Sequence, residues 1–258
     1  MPKLFVCSDI HSAYTPWMKA LNDAGFDKNN PDHFIVLCGD LFDRMEESYK
    51  AYKFAKDMIE QGKLIYIKGN HESLLLDCCK RGYWESHDIS NGTAKTVYDL
   101  GYGEDFGEMC QYTLRKVKPL FNKAINYLET KNYIFVHSWI PVIDKDGLPV
   151  YYTRNRHFEF NPDWRNANQK DWETAVWGNP FNMAGWGLNQ TGKVIVFGHW
   201  HCSTGWAKSE GRSEFGADAK FEPYYGDGFI AIDSCVAHTG KCNVLVLEDE
   251  FISDKNNA

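Results

Sequence analysis

The sequence predicts an α/β fold built on a parallel sheet, and two observations carry that reading. Between Lys3 and Asn70, three short apolar runs alternate with two helical segments. This β-α-β-α-β order packs helices against parallel strands. Each apolar run also breaks directly into a polar cluster rich in Asp, His or Asn. Open α/β sheets form their sites at such carboxyl ends.

The first strand is Lys3 to Cys7, too short and too soon polar for a leader peptide, and it turns at Ser8-Asp9-Ile10-His11-Ser12. Thr15 and Pro16 carry the N-cap and first-turn signature of a helix, with Gly25 past its end. Phe34 to Cys38 is the second strand and meets Gly39-Asp40. A helix is expected from Met45 to about Gln61, closed by Gly62. Leu64 to Ile67 is the third strand and ends at Lys68-Gly69-Asn70-His71. Further strands are expected at Tyr133 to Val136 and Val194 to Phe197. Phe229 to Asp233 and Asn243 to Leu247 read as a β-hairpin or an adjacent pair. Two stretches rich in Gly, Asn and aromatics, about 82–118 and 140–192, are expected to be long irregular insertions. No repeat, low-complexity segment or linker divides the chain, so residues 1–258 are expected to form one domain.

Composition narrows the function. A chain of 258 residues that is 43% hydrophobic can bury one large core. Its net charge of −7, with no run of Lys and Arg, argues against a nucleic-acid partner. No apolar run approaches the length of a membrane span. The eight cysteines include no C-x-x-C pair, so a zinc-thiolate site is not expected. They read as free thiols of a reducing cytoplasm, with Cys7 and Cys38 as small core hydrophobes. Seven of the nine tryptophans fall between Trp139 and Trp206, which reads first as an irregular aromatic core and second as a stacking wall.

Five clusters follow predicted strands: Asp9-Ile10-His11, Gly39-Asp40-Leu41-Phe42-Asp43-Arg44, Gly69-Asn70-His71-Glu72, His137, and Gly198-His199-Trp200-His201. Carboxylate, imidazole and amide oxygen suit Mn, Fe, Zn or Mg, and no thiolate is offered. Asp-x-His can chelate one ion, and His199 with His201 repeats the alternation. Two cations about 4 Å apart need a bridging carboxylate, and Asp40 is central in chain order.

These ordered motifs resemble the calcineurin-like metallophosphoesterases. GDxxDR with GNHE is similar to the branch of bacterial and phage serine/threonine phosphoprotein phosphatases and symmetrical diadenosine tetraphosphate hydrolases. The resemblance implies a four-layer α/β/β/α sandwich with mixed sheets. It implies two divalent metals, Mn²⁺ with Fe or Zn as alternatives. One is expected on Asp9, His11, Asp40 and His201, and the other on Asp40, Asn70, His137 and His199. It implies in-line attack by a metal-bridging hydroxide, His71 as general acid, Asp43 orienting it, and Arg44 holding the phosphate. The substrate would be a phosphate monoester, of a phosphorylated protein or of a small molecule. The alternatives are hydrolysis of a dinucleoside polyphosphate or other nucleotide, and a scaffold without catalysis. Two departures stand out. Lys68 replaces the Arg that protein phosphatases have before Gly-Asn-His, and Trp177-Gly178-Asn179 stands where bacterial relatives have Trp-x-Arg. A second phosphate clamp would then fall to Arg154, Arg156 or Arg165.

Overall fold

The computed structural model describes residues 1–145 and 158–252. The chain order opens β1 (Lys3–Cys7), α1 (Tyr14–Asp23), β2 (His33–Cys38), α2 (Ser48–Glu60), β3 (Leu64–Ile67) and α3 (Asn70–Arg81). Three helices follow: α4 (Ser86–Asn91), α5 (Thr93–Leu100) and α6 (Phe106–Phe121). Next come β4 (Leu128–Glu129), β5 (Tyr133–Phe135), β6 (Val142–Asp144), β7 (Phe158–Phe160), α7 (Gln169–Ala175) and α8 (Pro180–Gly185). The chain continues through β8 (Val194–His201), α9 (Cys202–Glu210), β9 (Tyr224–Gly226), β10 (Phe229–Asp233), α10 (Val236–Thr239) and β11 (Leu245–Glu248).

Two mixed sheets form the centre, ordered β11-β1-β2-β3 and β4-β5-β8-β10-β9. The inner pairings β1–β2, β2–β3, β5–β8 and β8–β10 are parallel, and the edge strands β11, β4 and β9 run antiparallel. Successive side chains of a strand point to opposite faces. Leu4, Val6, Val36 and Cys38 therefore meet Phe135, Val196, Ile230 and Ile232 between the sheets. Phe5, Cys7, Ile35 and Leu37 face the other way, into a core with Trp17, Leu75, Val97 and Val117 from the helices. On the far sheet, Ile134, Ile195, Phe197 and Ala231 pack beneath Trp172, Phe181 and Cys202. The central strands are buried on both faces, which is why they read as unbroken apolar runs. The layers are α/β/β/α.

The structure corrects several expectations. Residues 82–118 are largely helical; Gly82 and Gly92 are left-handed caps (φ +77° and +84°) that end one helix each. Glycine there punctuates helices. Part of 140–192 is also regular, as β6, β7, α7 and α8. Thr15 does not cap α1: its backbone N–H and hydroxyl both donate to Glu47, at 2.7 and 2.8 Å. The second helix starts at Ser48, because Met45 N–H and Glu47 N–H are held by His11 O and Ser12 O. The last two strands are neither a hairpin nor adjacent. After β10, α10 carries the chain across to the other sheet, where β11 pairs with β1.

All eight cysteines are free. Among the described residues no helix is long and apolar enough to cross a membrane. Trp139, Trp164 and Trp172 are buried in the second core, so these three are packing residues.

Candidate metal centre and active site

The carboxyl ends of β1, β2, β3, β5, β8 and β10 meet at one edge, and their loops bond across it. Asp9 N–H donates to Gly39 O, His11 N–H to Asp40 O and Gly198 N–H to His137 O, at 3.1, 3.0 and 2.8 Å. Close approach sets residue type here. A Cβ on Gly39 (φ +81°) would stand 2.5 Å from His137 Nδ1 and 2.7 Å from Gly69 Cα. Among the described residues, the non-glycine positions with positive φ are Asp9, His11, Ser12, Asp40, Asp43, Arg44, His199 and Cys235. His199 lies inside β8, and the others lie in the loops that follow β1, β2 and β10. Such backbone costs of order 1–3 kcal/mol per residue and persists where surrounding contacts over-determine it.

Asp40 occupies the centre. Its Oδ1 accepts the N–H of His71 at 3.0 Å. Its Oδ2 stands 3.5, 3.8 and 3.9 Å from Nε2 of His137, His11 and His71. Two groups of donor atoms result, each within 4.8 Å of one another: His11, Asp40 and His71, and Asp40, His137 and His199. Asp40 belongs to both. Asp9, His201 and Asp233 line the same narrow cleft, and Asn70 Oδ1 is 2.8 Å from His137 Nε2.

The donor set suits cations. His11 Nδ1 and His137 Nδ1 each lie 2.9 Å from a carbonyl, Phe42 O and Cys38 O, so each of these nitrogens carries the proton and donates. In the neutral rings Nε2 is then a bare lone pair. That of His11 faces Asp9 Oδ1 at 3.9 Å, and that of His137 faces Asn70 Oδ1. Lone pairs turned on one another repel, and a cation between them removes the repulsion. Metal-binding histidines are held by this kind of N–H to carbonyl bond. Burial pushes His11 and His199 down to about 3, which keeps both neutral. Burial raises Asp9 and Asp233 above the carboxylate range, Asp9 also through repulsion from Asp233 and Asp40. Burial also opposes ionisation of Asp40, yet the imidazoles around it hold it below that range.

His71 is placed differently. Its Nδ1 lies 2.7 Å from Asp43 Oδ2, and its Nε2 is turned toward the cleft, 3.4 Å from Arg44 Nη2. Burial opposes its protonation, but Asp40 and Asp43 outweigh it and raise the imidazole above its ordinary value. Asp43 is fully buried and accepts from Thr93 Oγ1 and Thr96 Oγ1, at 2.7 and 2.8 Å.

Sequence reasoning missed these threonines, which sit in the segment read as irregular. It also missed Asp233, although the rule of polar residues at strand ends covers it equally. Glu72 was quoted in its motif without a role. The carboxylate takes Gly69 N–H, Asp40 N–H and Leu41 N–H at 2.7, 3.2 and 3.0 Å, and the Tyr66 hydroxyl. It clamps the β2 loop to the β3 loop, and the pattern Gly-x-x-Glu at a helix start is its signal. Glu72→Ala should lower the unfolding free energy by about 2–4 kcal/mol, since lost buried bonds outweigh relief of the buried charge. Denaturant titration checks this; wild-type stability would show that other contacts hold the loops.

Arg165 is engaged by Glu129. Its Nε and Nη2 donate to Glu129 at 2.7 and 2.6 Å, and its guanidinium lies 4.4 Å from the Trp164 ring. Arg154 and Arg156 lie outside the described residues. Asn179 caps α8 by accepting from Asn182 N–H at 3.0 Å.

Fold and donor set together define a class: a two-sheet α/β sandwich with a candidate metal centre at one sheet edge. The chain belongs to the calcineurin-like phosphoesterases, whose family model matches residues 2–203. Membership makes it a metallophosphoesterase, a phosphoester hydrolase. Among solved structures it is similar to the cold-active protein-tyrosine phosphatase of a psychrophilic Shewanella species. The TM-score is 0.56 at 16% identity, over 96% of this chain and 76% of that one. A serine/threonine phosphatase from Saccharomyces cerevisiae aligns with TM-score 0.44 at 13% identity, over 98% of this chain and 81% of that one. No curated protein matches the sequence.

Proposed function

We propose that the protein is a dinuclear-metal phosphomonoesterase acting on phosphoserine or phosphothreonine. The observation that carries this is Asp40, one buried carboxylate shared by two groups of imidazole donors. Asp9, His11, Asp40 and His201 would hold one divalent cation, and Asp40, Asn70, His137 and His199 the other. When bound, the pair supplies a water of lowered pKa and neutralises charge on the phosphoryl oxygens. Arg44 holds those oxygens with its planar fork. His71 delivers the proton from Nε2 to the departing alkoxide, and Asp43 fixes the ring for that transfer. The cleft is narrow, about 100 Å³, which suits a phosphoryl group with the rest of the substrate lying outside.

Manganese is the proposed metal and the cytoplasm the proposed compartment, from the oxygen and imidazole donors and the free thiols. Chelation should abolish hydrolysis and manganese add-back restore it; full activity in exhaustively demetallated protein would reject the metal centre. A manganese-supplemented panel of phosphopeptides, p-nitrophenyl phosphate, its bis ester and diadenosine tetraphosphate tests the substrate class. Faster hydrolysis of diadenosine tetraphosphate than of every monoester would overturn the monoesterase reading.

A further inference from the structure

Beside the cleft lies a second and larger pocket, about 630 Å³ and open to solvent. Trp84, Ile89, Ala94 and Tyr98 form its apolar walls, and Arg44 and Ala237 line both spaces, so the two are adjacent. These walls are left wet: Trp84, Ile89 and Tyr98 are 48%, 55% and 57% exposed. Large apolar side chains gathered on one exposed face mark an interaction site, whereas single ones carry no such meaning.

The pocket is held in register with the acid pair. Gly92 lies against the backbone of Arg44, where a Cβ would stand 2.3 Å from its nitrogen, and Arg44 N–H donates to Asn91 O at 3.2 Å. The next helix sends Thr93 and Thr96 onto Asp43. One helical pair, α4 and α5, thus both supports the partner of His71 and builds the pocket. A group seated there lies beside Arg44.

Chemistry selects the occupant. A nucleobase needs hydrogen-bond partners along its edge. The pocket's walls are mainly apolar; of its polar side chains, the Ser90 hydroxyl donates to His87 O at 3.1 Å, the Lys95 ammonium to Glu46 at 2.6 Å, and Arg44 also lines the cleft. An apolar side chain needs none.

We propose that this pocket takes a large apolar side chain flanking the phosphorylated residue of a polypeptide substrate. The inference rests on the phosphomonoesterase reading. Its test uses the full chain with manganese and three substrates: a phosphoserine peptide flanked by Phe, the same peptide flanked by Gly, and N-acetyl-phosphoserine amide. The wild type should show kcat/KM about tenfold higher for the Phe peptide, which partial burial of one such side chain supplies. The double variant Trp84→Ala, Tyr98→Ala should lose that preference and cleave the amide at the wild-type rate, which also shows that it is folded. Equal kcat/KM for both peptides in the wild type, with the amide cleaved, would overturn the pocket and leave the activity standing. So would a preference that survives the double variant. Diadenosine tetraphosphate hydrolysed faster than either peptide, and slowed by the variant, would make it a nucleotide pocket. Failure to cleave any of the three monoesters would instead reject the phosphomonoesterase reading beneath it.

Discussion

His71→Asn is expected to lose about 10²–10⁴-fold in kcat on an alkyl phosphate such as phosphoserine, and far less on p-nitrophenyl phosphate. An alkoxide leaves only with a proton, whereas p-nitrophenolate leaves without one. Asp43 takes Nδ1 of His71, so Nε2 is the atom available at the cleft. Equal losses on both esters, with metal retained, would assign His71 to phosphate binding. Loss of a metal would make it a ligand, as its proximity to His11 and Asp40 allows. The pH profile gives a second check. Asp40 and Asp43 raise the His71 imidazole, so the acid stays protonated to higher pH. Asp43→Asn removes part of that support and should move the alkaline limb of kcat/KM to lower pH. An unmoved limb would mean that another group titrates there.

Asp40→Asn should empty both metal positions, while Asp9→Asn should weaken one. Asp40 Oδ2 stands within 3.5 to 3.9 Å of three imidazole nitrogens drawn from both donor groups. Among the described residues, the imidazole that approaches an Asp9 carboxylate oxygen within 4 Å is that of His11, at 3.9 Å, and Asp9 Oδ2 accepts His199 N–H. Removing the shared charge leaves each remaining donor set with less negative charge for a divalent ion. Elemental analysis of purified Asp40→Asn measures this directly. Two tightly held metals per chain would show that Asp40 is not the bridge.

Local sequence by itself determined the central strands β1, β2, β3, β5, β8 and β10 and the polar clusters at their carboxyl ends, but not the short strands β4, β6, β7 and β9. A strand buried on both faces is an unbroken apolar run, and a site loop must break it with polar residues and glycine. Leu64–Ile67 was therefore legible to the residue, and Asp9, Asp40, Asn70, His137 and His199 were each visible at a strand end. The helices of 82–121 were not, because glycine that caps a helix and glycine that loosens a loop are the same letter. Only the tertiary structure decided what surrounds the motifs. Thr93 and Thr96 reach Asp43 across some fifty positions of chain, Glu72 reaches beyond its own helix start to the β2 loop at Leu41 N–H, and Arg165 pairs with Glu129. Motif residues are legible because their chemistry restricts the residue type. Their supports depend on which distant segment the fold brings alongside, and that is set by packing of the whole core.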